Sequence, residues 1–113
     1  MRYAHLTVTR RLRIALDRET VAGHHRPSAD VLLESLAAAL GERAVGVVLT
    51  GMGRDGARGT AAIKAAGGLA LSQDEASAPL FGMPGAAAAA GARALAPAQI
   101  AALLCDLDPA ASR

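Results

Sequence analysis

The sequence predicts an α/β fold in which a β-hairpin precedes a doubly wound, mostly parallel sheet. Three observations carry this. Residues 5–9 and 12–17 each alternate apolar and polar side chains with period two, the mark of a half-buried strand. Val45 to Thr50 is an unbroken apolar run of strand length, as expected of a strand covered on both faces and central in its sheet. Beyond it, strand-like and helix-like segments take turns, the pattern of a parallel sheet with crossover helices. A parallel part of only about three strands leaves faces and edges to be covered, so the chain reads as the C-terminal half of a larger domain, with an exposed apolar surface where another half would pack.

In chain order, the hairpin comes first, although Arg10-Arg11 is poor turn chemistry. His5 alternates out from Leu6 and is expected at the surface. A loop runs from Arg18 to Arg26. Pro27 and Ser28 open a helix in which Leu32, Leu36 and Leu40 share a face and Gly41 is the terminator; Ser28 suits the capping position. After the apolar run comes the loop Gly51-Met52-Gly53-Arg54-Asp55-Gly56, then a helix over 57–66 closed by Gly67-Gly68. A strand spans 69–72, and residues 73–83 form a loop long enough to suggest a role beyond connection. Pro84 begins an Ala-rich helix ending at Gly91, 93–96 is a short strand, and Pro97 starts a last helix whose Ile100, Leu103, Leu104 and Leu107 share a face. The domain is expected over 1–107, with 108–113 as a tail.

Composition narrows the function classes. The 113 residues include 29 alanines and only Tyr3 and Phe81 as aromatics, so the core must be built from small and aliphatic side chains. The net charge is +2, and eleven arginines and Lys64 are scattered. With almost no aromatics to stack on bases, nucleic-acid binding is a weak reading. Cys105 alone supports neither a disulfide framework nor a multi-cysteine zinc site, and a reducing cytoplasm is the simplest compartment. No apolar run has the length of a signal peptide core or a membrane span, so membrane insertion is not expected. No spacing of His, Cys, Asp or Glu supports a metal site.

The chemistry concentrates in the glycine-rich loop. Catalytic groups of open α/β sheets gather at the carboxyl ends of strands. Asp55, at a helix start, is favoured as an anion by the helix dipole and could orient an imidazole; it could equally be the N-cap of the next helix. The same hexad spells G-x-G-x-x-G with Asp74 downstream, which suggests a dinucleotide site, but Asp55 would set a carboxylate against a pyrophosphate. A compact Ser28–His25–Asp55 triad is conceivable, though Ser28 is more simply a helix cap, and His24 reads as a solvated loop residue. Cys105, beside a leucine-rich face, reads as a buried small hydrophobe.

Three separated motifs, His25-to-Leu32 (HRPSADVL), Val45-to-Ala57 (VGVVLTGMGRDGA) and Gln73-to-Pro84 (QDEASAPLFGMP), resemble the C-terminal part of the CheB-type protein-glutamate methylesterase domain of bacterial chemotaxis. The resemblance implies a Rossmann-like three-layer domain of serine-hydrolase type. It implies hydrolysis of methyl esters on chemoreceptor glutamates, in some members deamidation of glutamines, and no cofactor. It matches Asp55 to the acidic triad member, Met52 to the oxyanion-binding backbone N–H with Gly51 and Gly53 flanking it, and His25 to a non-catalytic histidine near the active-site face. The family's nucleophilic serine and catalytic histidine motifs do not occur here. The resemblance therefore implies a truncated or split piece, or a non-catalytic remnant of the same fold. Its partners would be methylated cytoplasmic receptor segments and either an N-terminal half-domain or a second copy of the chain.

Overall fold

A computed structural model describes residues 3–20 and 27–107. The hairpin pairs β1 (His5–Val8) with β2 (Ile14–Asp17) in antiparallel register, Leu6 opposite Leu16 and Val8 opposite Ile14. Its loop works without glycine because Leu12 takes a left-handed backbone, φ 62°, while the Thr9 N–H bonds Arg13 O and the Leu12 N–H bonds Thr9 O. Helix α1 (Ala29–Leu40) follows, and Gly41, with φ 56°, ends it by donating its N–H to Ala37 O. Then come β3 (Val45–Val48), α2 (Ala57–Ala65), β4 (Leu69–Gln73), α3 (Gly82–Ala89), β5 (Arg93–Leu95) and α4 (Pro97–Leu107). The last three strands form one parallel sheet in the order β3-β4-β5. The architecture is the α/β fold expected, with the antiparallel hairpin ahead of it.

Four expectations change. Strand β3 is not central: among the described residues it has β4 as its one strand neighbour, and β4 holds the middle position. Burial shows why the apolar run misleads. Gly46 and Val48 are buried, whereas Val45 and Val47 are only half-buried. The run reports that both faces of β3 are apolar, not that this chain covers both. In β4, Ala70 to Gln73 are all buried. His5, expected outside, is 0% exposed. Cys105 is exposed, because of the apolar face of α4 only Ile100 is buried while Leu104 and Leu107 remain exposed. Helix α3 begins at Gly82, two residues before Pro84, which sits buried in its first turn where a missing N–H costs nothing. The proposed tail 108–113 lies outside the described residues.

The core joins Leu33 of α1, Ala44, Val48 of β3, Ile63 of α2, Ala70 of β4, Ala87 of α3 and Ala92. Alanine and glycine let these elements approach closely. At Gly59, in the first turns of α2, an added Cβ would stand 2.5 Å from Leu33 Cβ and 3.1 Å from Asp30 Cα. Neither can swing away, so the α1–α2 separation is set by the absence of a side chain there.

Two stability predictions follow from these positions. Gly59→Ala gains helix propensity but forces α1 and α2 apart, and is expected to lower stability by about 1–2 kcal/mol, a drop in Tm of several degrees in thermal unfolding. Leu12→Gly relieves the left-handed strain at an exposed side chain and is expected to raise stability by about 0.5–1 kcal/mol in the same assay. A neutral Gly59→Ala would show that the helix pair has slack, and a destabilised Leu12→Gly would show that the leucine packs.

Candidate functional site

The loop after β3 is held by backbone bonds and by a few polar side chains. Gly51 donates its N–H to Leu80 O at 2.9 Å and accepts the Met83 N–H at 2.9 Å, forming a parallel bridge with Phe81. Thr50 adds a second clamp: its hydroxyl donates to Leu80 O (3.0 Å) and accepts the Leu80 N–H (2.9 Å). Its own N–H goes to Gln73 Oε1 (2.9 Å) at the end of β4, and Gln73 Nε2 donates to Ser77 O and Ser77 Oγ. A Cβ on Gly82 would fall 2.9 Å from Gly53 N, and one on Gly51 2.6 Å from Met83 Sδ. The segments 45–57 and 73–84 are thus one structural unit, with Gly82 where two backbones touch and Gly51 against the Met83 side chain. Gly53 and Gly56 have φ of 86° and 102°, which turns the chain from strand to helix. Met52 stands between Gly51 and Gly53 at the rim, 68% exposed.

Asp55 does not cap its own helix, whose N-cap is Gly56. Its carboxylate crosses to the start of α1. Oδ1 accepts the Ser28 hydroxyl (2.9 Å) and the Asp30 N–H (3.0 Å), and Oδ2 accepts the Ala29 N–H (2.7 Å). Asp30 returns the arrangement, its Oδ1 accepting the N–H of Gly56 (3.0 Å) and of Gly59 (2.7 Å) at the start of α2. The start of α1 is therefore capped by a carboxylate from the approach to α2, and the start of α2 by a carboxylate of α1. An exposed Arg58–Glu34 pair at 2.7 Å ties the same helices further along, where solvent leaves it little net energy.

Ser28 is the N-cap residue of α1 by position, yet its side chain makes no bond to that helix. Its hydroxyl is spent on Asp55, and it is 3% exposed, which suits neither the capping role nor a nucleophile. Its backbone N–H is held by Nδ1 of the buried His5 (3.0 Å). An N–H can only donate, so Nδ1 is the bare nitrogen, and Nε2 carries the ring hydrogen toward Thr20 O at 2.9 Å. Thr20 is set by Asp17, which accepts its N–H, its hydroxyl and the Glu19 N–H. These bonds, the Thr20 hydroxyl first, hold the Asp17 carboxyl down at about 2. Its support for this turn is therefore complete above the ordinary carboxylate range and is lost as pH falls through about 2.

The structure brings Gly51, Met52, Gly53 and Asp55 together at the carboxyl end of β3. His25 and His24 lie outside the described residues. Asp74, the acid a dinucleotide site would use, is instead folded into its own turn, accepting the Ser77 N–H and hydroxyl. The sequence reading missed Ser28 as a donor to Asp55, Asp30 as its counterpart, the buried His5, and Gln73. A signal existed for one of them, Asp30: an acid stands at each of two helix starts, Asp30 and Asp55, and Gly59 marks a close approach. Among the described residues no three His, Cys, Asp or Glu side chains gather as metal ligands, and no helix is long and apolar enough to cross a membrane.

Comparison with known proteins places the chain in a family. The family model described as CheB methylesterase matches residues 2–104. A protein-glutamate methylesterase/protein-glutamine glutaminase of Myxococcus xanthus is 69% identical over 61 residues, 54% of this chain and 17% of the relative. One from Caulobacter vibrioides is 51% identical over 90 residues, 78% of this chain and 26% of the relative. The crystal structure of the Thermotoga maritima CheB methylesterase catalytic domain superposes with a TM-score of 0.84 at 29% identity, over 95% of this chain and 59% of that one. The chain thus spans about a sixth to a quarter of the length of these curated relatives. On the family match, the shared fold and the sequence identity together, the chain belongs to the CheB methylesterase family.

Proposed function

We propose that this chain is the acid-and-oxyanion portion of a protein-glutamate methylesterase domain. It would act when a serine and a histidine from the remaining portion of a catalytic domain are set against the loop after β3. The observation that supports this most is the Asp55 carboxylate, anchored by the Ser28 hydroxyl and the Ala29 and Asp30 N–H groups and lying in the same loop as the exposed Met52. In the reaction, the serine oxygen bonds to the ester carbonyl carbon while the histidine takes its proton. Asp55 holds that histidine in the right tautomer and stabilises its charge. The Met52 N–H faces the oxyanion of the tetrahedral intermediate, with Gly51 and Gly53 leaving room for the substrate carbonyl. The carbonyl re-forms, methanol leaves with the histidine's proton, and water releases glutamate by the same steps; a glutamine substrate would release ammonia. His25 would line the substrate side. The substrates would be methylated chemoreceptor segments in the cytoplasm. The apolar edge of β3 and the exposed hairpin face of Leu6, Ile14 and Leu16 would receive the remaining portion, with residues 1–107 as the folded unit.

The structure disfavours the dinucleotide reading for a specific reason. A pyrophosphate would need the free N–H groups at the start of α2, and those of Gly56 and Gly59 are bonded to Asp30.

Two tests bear on this proposal. The chain alone is expected to hydrolyse no ester and to take no serine-reactive fluorophosphonate label. Fused behind an N-terminal portion carrying the family's Ser and His motifs, it is expected to hydrolyse a glutamyl methyl ester, and Asp55→Asn to lower kcat by about 10⁴-fold. Labelling of Ser28 in the lone chain, or a fully active Asp55→Asn fusion, would overturn the assignment. Separately, NAD or NADP is expected to leave Tm unchanged, whereas binding at a hundred-fold excess over Kd would add about 2.7 kcal/mol.

A further inference from the structure

We propose that Ser28 is a positioning residue for Asp55, and that the buried His5 holds Ser28 in the conformation from which it acts. The inference rests on the reading of Asp55 as the orienting acid. A serine at an N-cap with extended backbone, here φ −113° and ψ 133°, ordinarily turns its oxygen onto an N–H of its own helix. Asp55 has taken over that task by accepting the Ala29 and Asp30 N–H groups. The Ser28 hydroxyl is thereby released from capping and becomes a third donor, aimed at Oδ1 from 2.9 Å.

The Ser28 hydroxyl and the Ala29 and Asp30 N–H groups hold the carboxylate from the α1 side. Two of these are backbone groups that come with the helix; of these three, the hydroxyl is the one that a side chain supplies. It shares Oδ1 with the Asp30 N–H, so rotation of the carboxylate breaks both bonds. The donor itself is fixed from behind. His5 Nδ1 grips the Ser28 N–H, and the His5 ring is held at its other nitrogen by Thr20 O. A chain of bonds thus runs from the hairpin through His5 and Ser28 to Asp55. Both links are closed to solvent, so they reach the reaction only through the acid.

A purely structural role makes a different prediction. Without the hydroxyl, Asp55 still accepts two backbone N–H groups, so α1 keeps its cap and the fold should persist. What changes is the stabilisation and orientation of the carboxylate. In the chain alone, the side-chain carboxyl ¹³C signal of Asp55 in Ser28→Ala is expected to titrate about one pH unit above wild type, and in Ser28→Thr close to wild type. In the fusion described above, Ser28→Ala is expected to lower kcat about ten-fold with KM unchanged, and Ser28→Thr to restore it. Should Ser28→Ala fail to fold, Ser28→Cys, with a similar volume and a weaker donor, serves in its place. Coincident titration of Ser28→Ala and wild type would overturn the proposal. So would wild-type activity of Ser28→Ala in a fusion that Asp55→Asn inactivates, which leaves the function of Asp55 standing. A fusion whose activity ignores Asp55→Asn would remove the premise as well.

Discussion

Two carboxylates exchanged between two helix starts organise this protein. The first turn of any helix has N–H groups with no partner inside the helix. In α1 they are met by Asp55, which belongs to the approach of α2, and in α2 by Asp30, which belongs to α1. A hydrogen bond to a charged group is worth about 1.5–3 kcal/mol, more than the side-by-side packing of two alanine-rich helices secures at any one point. The exchange also has a geometric condition: the helix starts must lie almost in contact. Gly59 meets it, and the glycine-rich loop is what delivers Asp55 to the right place. Fold and candidate site therefore share the same bonds. The acid that would orient a catalytic histidine is also the cap of α1.

The loop beside it needs little side-chain chemistry. Thr50 and Gln73 clamp its start, Gly51 pairs with the segment before α3, and Gly82 lets two backbones pass at close range. Met52 is left exposed at the rim. On the function proposed above, such a loop would serve as a backbone oxyanion site, because its donors would be positioned before any substrate arrives and need no reorganisation during the reaction.

Around this centre the molecule is thinly built. Among the described residues its core is made of Leu, Val, Ile and Ala, its parallel sheet has three strands, and β3 lies at one edge of it with an apolar face half-buried. The hairpin shows Leu6, Ile14 and Leu16 to solvent, and α4 shows Leu104 and Leu107. These surfaces agree with a chain that covers 59% of a solved CheB catalytic domain.

The order of the elements was legible in the sequence, because alternation, helical period, and glycine and proline punctuation are properties of neighbours along the chain. Helix α1 emerged from Leu32, Leu36 and Leu40, and β4 and β5 from short apolar runs between glycines and prolines. The glycine-rich loop and Asp55 stood out for the same local reason. What only the tertiary structure decided involves residues far apart. The position of β3 at an edge depends on which strands pair, and an apolar run says that faces are apolar, not what covers them. The burial of His5 depends on Ser28, 23 positions on, and the task of Asp55 on Ser28, 27 positions back. Such pairings leave no period in the chain. A polar side chain is placed by the donor or acceptor it meets in space, so its role becomes visible only when the helix starts are brought together.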